Sequence, residues 1–276
     1  GLLHFAGHRL GWPRMRPLRV VSWNVNGIRA CEKKGLVRYL DRCRADIVGL
    51  QEVRALPAQV PASVRRKRLH QIYAPAERLG YSGVALLSKR PPEQHATALA
   101  HRFDVEGRLI SARFGKLSVF SAYFPKGSGS LRDNSRIPYK LAFDAALRRA
   151  LKPRIAAGER ILVMGDFNTA FAEIDLARPK QNHENSGFRP EERRALGQWF
   201  RAGWVDTFRA LQPEGGHYTW WSQRLGLREK NVGWRIDYVL ASPAAMPFVR
   251  AAFIHKDVLG SDHCPIGVDL NPKILE

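Results

Sequence analysis

Five short polar clusters hold the side chains that could do chemistry: Asn24-Val25-Asn26, Gln51-Glu52, Asp166-Phe167-Asn168, Arg235-Ile236-Asp237-Tyr238 and Ser261-Asp262-His263. All but the Arg235–Tyr238 cluster directly follow strand-like runs, where loops on a rigid scaffold commonly hold reactive groups. Asp166 and Asn168 are two apart, so in extended backbone their side chains project to one side. Asp237 lies within an otherwise apolar strand, where a carboxylate must be paired or hydrogen-bonded. Asp262-His263 offers a partner for it and an imidazole able to contact phosphate. Taken singly, each cluster has a plainer explanation. Asn24 and Asn26 suit a turn, Glu52 suits a helix start, Asp166 and Asn168 suit another turn, and an isolated histidine is usually structural. Jointly they form the set that phosphodiester hydrolysis needs: oxygen ligands for a hard cation, a positioned water and donors for the charge of the phosphorane. Cysteines and histidines are too few to suggest zinc.

The elements that must position these groups follow from periodicity. Leu18–Trp23 reads as a strand and Asn24–Gly27 as the turn after it. Lys34–Arg44 reads as a helix with Leu36, Tyr39, Leu40 and Cys43 on one face. Asp46–Leu50 is a buried strand, and Arg54–His70 is irregular and basic. Strand-like runs follow at Ser82–Leu87, Leu109–Phe114 and Leu117–Tyr123, then a Gly/Ser loop at Pro125–Ser135. A helix starts near Pro138, which suits a first helical position, and runs to about Leu151 with a stripe of Leu141, Ala145, Leu147 and Leu151. Arg160–Met164 is a strand, Glu191–Ala202 a helix, and Arg235–Leu240, Val249–Ile254 and Pro265–Leu270 are strands. Many strands with few crossover helices imply two sheets packed face to face with helices outside. No linker or short-period repeat interrupts the chain, so residues 15–276 are expected to form one domain. Residues 1–14 are expected to be a poorly ordered, dispensable extension, because they precede the first convincing strand and show no core periodicity.

Composition bounds the partners. The 276 residues include 45 Lys+Arg against 25 Asp+Glu, a formal net charge of +20. That favours a polyanion, because each phosphate neutralised releases counterions; a ribosomal or membrane surface is the rival on charge alone. The 45% hydrophobic content suffices for a large core. Cys31, Cys43 and Cys264 are odd in number and lack CxxC spacing, which argues against a disulfide framework and a zinc ribbon and fits a reducing, cytoplasmic setting. No apolar run approaches the roughly 18 residues of a membrane span.

The motifs then point further. SWNVNGIRA (22–30), LQEVRA (50–55), GYSGVALLSK (80–89), EGRLI (106–110), AYFPKG (122–127), VMGDFNTA (163–170), EIDLARPKQNHENSGFRPEER (173–193), YTWWS (218–222), NVGWRIDYVLAS (231–242) and LGSDHCPI (259–266) span nearly all of residues 18–270. Through them the chain resembles the exonuclease III / apurinic-apyrimidinic endonuclease family of the endonuclease–exonuclease–phosphatase superfamily. GDFN and SDH mark the superfamily; NVGWRIDY and NSGF are more specific to the abasic-endonuclease branch. The resemblance implies a four-layer α/β sandwich of two mixed β-sheets flanked by helices, deoxyribonuclease I-like. It implies that Glu52 is the main ligand of Mg²⁺, with Mn²⁺ able to substitute, Asn26 beside it and Asp262 near it. Asp166 and Asn168 would orient or deprotonate the attacking water, with Asp166 either base or acid. His263, paired with Asp237, would contact the scissile phosphate, and Tyr123 and Asn24 would complete its cage. Asn182 and Asn185 would approach the phosphate and abasic sugar; Trp220, Trp234 and Ile236 would line the pocket for that sugar. Arg29 and Arg54 would touch neighbouring phosphates.

Some positions depart from the family pattern. Asn26 stands where some relatives have Asp, Lys126 where an amide is common and could tighten phosphate binding, Phe171 where His is usual, and Arg224 where an animal relative has an apolar wedge. The implied activity is hydrolysis 5′ to abasic sites, with 3′–5′ exonuclease and 3′-end cleaning. The implied partner is double-stranded DNA with abasic sites or blocked 3′ ends, bound by a monomer. The rivals are an enzyme that is mainly a 3′-phosphodiesterase and exonuclease, and a catalytically silent DNA-binding member.

Overall fold

A computed structural model describes residues 16–276 apart from Lys67, Arg132 and Leu225. The expectation for residues 1–14 lies outside the described residues.

In chain order the elements are β1 (Leu18–Asn24), α1 (Ile28–Lys33), α2 (Leu36–Cys43), β2 (Ile47–Gln51), β3 (His70–Ala74), β4 (Val84–Ser88), β5 (Gln94–Ala96), α3 (His101–Asp104) and β6 (Leu109–Phe114). There follow β7 (Leu117–Tyr123), α4 (Ile137–Ala156), β8 (Arg160–Asp166), α5 (Pro190–Arg201), β9 (Val205–Asp206), α6 (Thr207–Leu211), β10 (Asp237–Ala241), β11 (Val249–Ile254) and β12 (Ile266–Leu270). One sheet has the order β11-β12-β1-β2-β4-β3 and the other β5-β6-β7-β8-β10-β9. Each has one parallel pair at its centre, β1 with β2 and β7 with β8, and antiparallel neighbours elsewhere. The two sheets thus share one pattern of strand directions.

Side-chain alternation along the central strands makes the four layers. In β1, Val20 faces the other sheet and Val21 faces the helices; in β8, Leu162 and Val163 divide likewise. Both faces are covered, so the strands read as apolar runs rather than alternating ones, and every residue of β7 is buried. The middle layer packs Val20, Leu86, Val119, Leu162, Met164 and Val268. Outside the first sheet, Ile28, Leu36 and Tyr39 of α1 and α2 cover Val21 and Leu50. Outside the second, Phe143 and Leu147 of α4 and Trp199 of α5 cover Val163 and Leu240. The sheets approach so closely at Gly49 that a Cβ there would lie 2.6 Å from Ser121 Oγ.

Several expected boundaries shift, for identifiable reasons. The helix expected over Lys34–Arg44 is α2, Leu36–Cys43, and a further short helix, α1, precedes it across Gly35, where the chain turns at φ +112°. The helix from Pro138 begins at Ile137 and continues through Pro153 to Ala156. Its buried stripe is Phe143, Leu147 and Leu151 with the polar Lys140 and Asp144; Leu141 and Ala145 are only half-buried. Among the described residues of Arg54–His70 only a short turn at Pro57–Gln59 is regular, and His70 at the end of the segment opens β3. Arg235 and Ile236 precede β10 rather than belonging to it.

Candidate active site

The central strands of both sheets end at one pole, and the polar clusters sit there. Asn24 is the last residue of β1, and Glu52 follows β2. Across the interface, Tyr123 ends β7 and lies in register with Asp166 at the end of β8. Asp237 opens β10 directly opposite Asp166, and His263 lies just before β12. Asn26, Glu52 and Asn168 all take positive φ, between 45° and 56°, so the chain turns sharply past each strand end.

The contacts run as one network. The buried amide of Asn24 donates to Glu52 Oε2 at 3.0 Å and to Asp166 Oδ2 at 2.9 Å, bridging the two sheets. Asn24 Oδ1 accepts the Asn26 backbone N–H at 2.9 Å, and Asn26 Nδ2 donates to Asp262 Oδ1 at 2.9 Å. Asp262 Oδ2 accepts the Trp220 indole N–H at 3.0 Å. His263 Nδ1 lies 2.9 Å from Asp237 Oδ2, and its Nε2 lies 3.8 Å from Asp166 Oδ2. Asp166 Oδ1 accepts the Asn168 backbone N–H at 2.7 Å, and Asn168 Nδ2 donates to the Phe124 carbonyl at 2.8 Å.

Electrostatics separates the carboxylates. Burial works to raise Glu52, but Lys126, Arg54 and the Asn24 amide outweigh it and hold the carboxyl below its usual range. Burial also works to raise Asp262; His263, the Trp220 N–H, Lys126 and Asn26 bring it lower. Asp166 goes the other way: burial, then the Asp237 charge, raise it against the pull of His263. Burial works to lower His263, yet Asp237 and Asp166 raise it to about 10, so its imidazole is cationic at neutral pH.

Asp166, Asp237 and His263 place ligand atoms within 4.8 Å of one another, a grouping compact enough for a metal. Asp237 Oδ2, however, already accepts from His263 and from the Thr219 hydroxyl at 2.6 Å. This trio therefore fits proton and phosphate chemistry. Glu52, Asn26 and Asp262 offer oxygen donors alone, with both carboxyls held ionised, and that donor set fits a hard divalent cation.

A cavity of about 710 Å³ opens beside the trio. Its lining includes Asn168 and His263, the apolar Trp220, Trp234 and Ile236, and the polar Lys126, Asn182 and Asn185. Trp220 and Trp234 exchange backbone hydrogen bonds of 2.9 Å, and their rings stand at 85° with centroids 6.2 Å apart. Asn185 Nδ2 donates to Asn182 Oδ1 at 2.8 Å. Arg224, flagged as a departure, also lines this cavity. Arg54 pairs with Glu52, while Arg29 lies apart from the centre, in a neighbouring groove with Lys33, Lys34 and Arg54. Phe171 packs edge-on against Phe200, away from the cavity lining.

Three buried groups escaped the sequence reading. Thr219 Oγ1 donates to Asp237 and accepts the Ile236 and Asp237 N–H groups, each at 3.1 Å. Arg108 donates to the Tyr123 carbonyl at 3.0 Å and stacks 4.9 Å from its ring. Lys140 reaches the Asn168 carbonyl. The last two are charged residues buried among apolar ones, a signal visible only once the packing is known.

The sequence profile of the Endonuclease/Exonuclease/phosphatase family matches residues 21–263. An exodeoxyribonuclease of Bacillus subtilis is 38% identical over 257 residues, which cover 92% of this chain and 100% of that protein. The DNA repair nuclease APEX1 of Danio rerio is 37% identical over 258 residues, 92% of this chain and 82% of that one. Among solved structures, an AP endonuclease from Archaeoglobus fulgidus superposes with a TM-score of 0.83 at 26% identity, covering 92% of this chain and 99% of that one.

Proposed function

This chain belongs to the endonuclease/exonuclease/phosphatase family, and we propose that within it this DNA-repair nuclease hydrolyses the backbone 5′ to abasic sites, leaving a 3′-hydroxyl. One observation carries the reading: His263, held by Asp237 and facing Asp166, borders a cavity lined by two indoles and an isoleucine. A baseless sugar fits apolar walls beside a charged floor, whereas a normal nucleotide would first have to unstack and unpair.

In this reading the scissile phosphate lies between His263 and the Glu52 side. His263 Nε2–H donates to a non-bridging oxygen, whose charge grows as the phosphorane forms. Asn168 orients a water whose oxygen bonds to phosphorus as the bond to the 3′-oxygen breaks. Asp166 accepts the water's proton or delivers one to the leaving oxygen; its raised affinity for a proton suits either role. Glu52, Asn26 and Asp262 would hold Mg²⁺ or Mn²⁺, which would supply Lewis-acid stabilisation of the transferring phosphoryl group. Lys126, Arg54 and Arg29 would contact flanking phosphates.

The test is cleavage of a duplex with one internal abasic site, beside a nicked duplex with a blocked 3′ end. Cleavage of the first should vanish in EDTA and return with Mg²⁺; full activity in EDTA would overturn the metal assignment. A second reading, mainly 3′-end processing, is favoured by the size of the cavity, which exceeds a baseless sugar and extends to Arg178 and Gln181. Preferential turnover of the nicked duplex would select it.

A further inference from the structure

We propose that the buried Lys140–Glu192 pair is a positioning device for Asn168, tying the turn that handles the attacking water to the turn that bears Asn182 and Asn185; this rests on the role given to Asn168 above. Lys140 lies on α4 and Glu192 on α5, and both are almost wholly buried. Lys140 Nζ donates to the Asn168 carbonyl and to Glu192 Oε1, each at 2.6 Å. Glu192 Oε2 accepts the Gly187 N–H at 2.6 Å, and its Oε1 accepts the Ser186 hydroxyl at 3.2 Å.

Every polar group of the Asn168 main chain is therefore spoken for. Its N–H goes to Asp166, its carbonyl to Lys140, and its side-chain amide to Phe124. The residue sits at φ +49°, in the left-handed region that asparagine tolerates better than most other side chains, and these bonds fix it there. Gly187 closes over it: a Cβ there would stand 3.1 Å from the Asn168 carbonyl and 3.2 Å from the Trp234 ring. The Gly187 carbonyl in turn accepts the Ala170 N–H at 2.8 Å. One ammonium and one carboxylate thus fix the distance between the water-handling amide and the cavity wall.

Stability alone is a weak reason for the pair. Fully buried lysines are rare, and apolar replacements of a buried ion pair are often as stable as the pair. Its neighbours on α4, Phe143 and Leu147, show that this layer accepts apolar side chains. What an apolar residue could not do is hold the Asn168 carbonyl.

The test uses the full chain and single-turnover cleavage of the abasic duplex, with 3′-terminal excision from a plain duplex measured in parallel. Wild type inactive on the first substrate but active on the second would overturn the abasic reading alone, and the comparison below then runs on the second. Lys140→Met should slow the chemical step by about tenfold or more while the duplex Kd in EDTA moves less than about threefold. Lys140→Arg should restore most of the rate. In an Asn168→Ala background, Lys140→Met should cost less than about twofold, because a group that acts through Asn168 has nothing left to position. Circular dichroism confirms that each variant is folded at the assay temperature. If Lys140→Met does not fold, Lys140→Met/Glu192→Gln takes its place, since Gln still accepts the Gly187 N–H. A near wild-type rate in the folded variant, or an equal loss with and without Asn168, would overturn the proposal.

Discussion

At the residue scale the site is a set of carboxylates pushed in opposite directions by their neighbours. Asp166→Asn and His263→Ala should each lower turnover by orders of magnitude while leaving DNA affinity near wild type, because groups acting as one unit lose most of their effect together. Steady-state kinetics and binding in EDTA check this; roughly wild-type turnover in either variant would refute the role given to that residue. Thr219→Val is a subtler case. It removes a hydroxyl that serves Asp237 and two buried N–H groups. Leaving such groups unpaired should cost about 1–3 kcal/mol, read by urea unfolding, and should slow cleavage about tenfold; Thr219→Ser should recover both. An unchanged unfolding midpoint in Thr219→Val would show that water replaces the hydroxyl. Asp237 was legible in the sequence because a carboxylate inside an apolar run demands a partner. Thr219 was not, because YTWWS reads as an aromatic segment and nothing in it marks a hydroxyl aimed at a residue 18 positions away.

At the element scale, strand ends matter more than strand lengths. β8 delivers Asp166 only because Gly165 precedes it at φ +145°, where a Cβ would sit 1.8 Å from the Ala122 carbonyl oxygen of β7. Gly165→Ala should therefore part the central parallel pair and cost about 3 kcal/mol or more; an unfolding midpoint within error of wild type would contradict this. Behind the cavity wall, Asp175 accepts from Arg235 at 2.9 Å and Arg209 at 2.7 Å, and Arg235 also reaches Asp206 at 2.7 Å. Burial works to raise Asp175, but the two guanidiniums hold it below the usual range. Its stabilisation is thus present above the unfolded value of about 3.9 and lost as pH falls through the lower folded value. Asp175→Asn should be less stable at neutral pH yet lose less stability on acidification below about pH 4. Urea titrations across that range decide, and parallel curves would refute the assignment. The long apolar strands and both long helices were legible from periodicity. The edge strands β3, β5 and β9 and the short α1, α3 and α6 were not, because two to six residues carry little pattern, and tertiary contact rather than propensity forms them.

At the scale of the whole molecule, charge and shape divide the work on DNA. The net +20 attracts any phosphate backbone, so it sets affinity and its salt dependence but selects no lesion. Selection would fall to the walls of Trp220, Trp234 and Ile236. Trp234→Ala should slow abasic cleavage and lower its ratio to cleavage at undamaged sites, with the slope of log Kd against log salt unchanged. Paired kinetics on abasic and undamaged duplexes check this; a constant ratio would assign selectivity to duplex deformability instead. The matching direction patterns of the two sheets were not visible in the sequence, since the second sheet draws β10 and β9 from beyond a long loop-rich stretch. The placement of β12 has a consequence for the protein's synthesis. β1 is hydrogen-bonded between β2 and β12, with Leu18 opposite Leu270. On the ribosome, chains grow at roughly 5–20 residues per second, so Glu52, Tyr123 and Asp166 emerge well before His263 and the strand that fixes it. A translation product cut short before that point lacks both the imidazole and one of the two partners of its first strand, so under the roles proposed above it should leave the genome uncut.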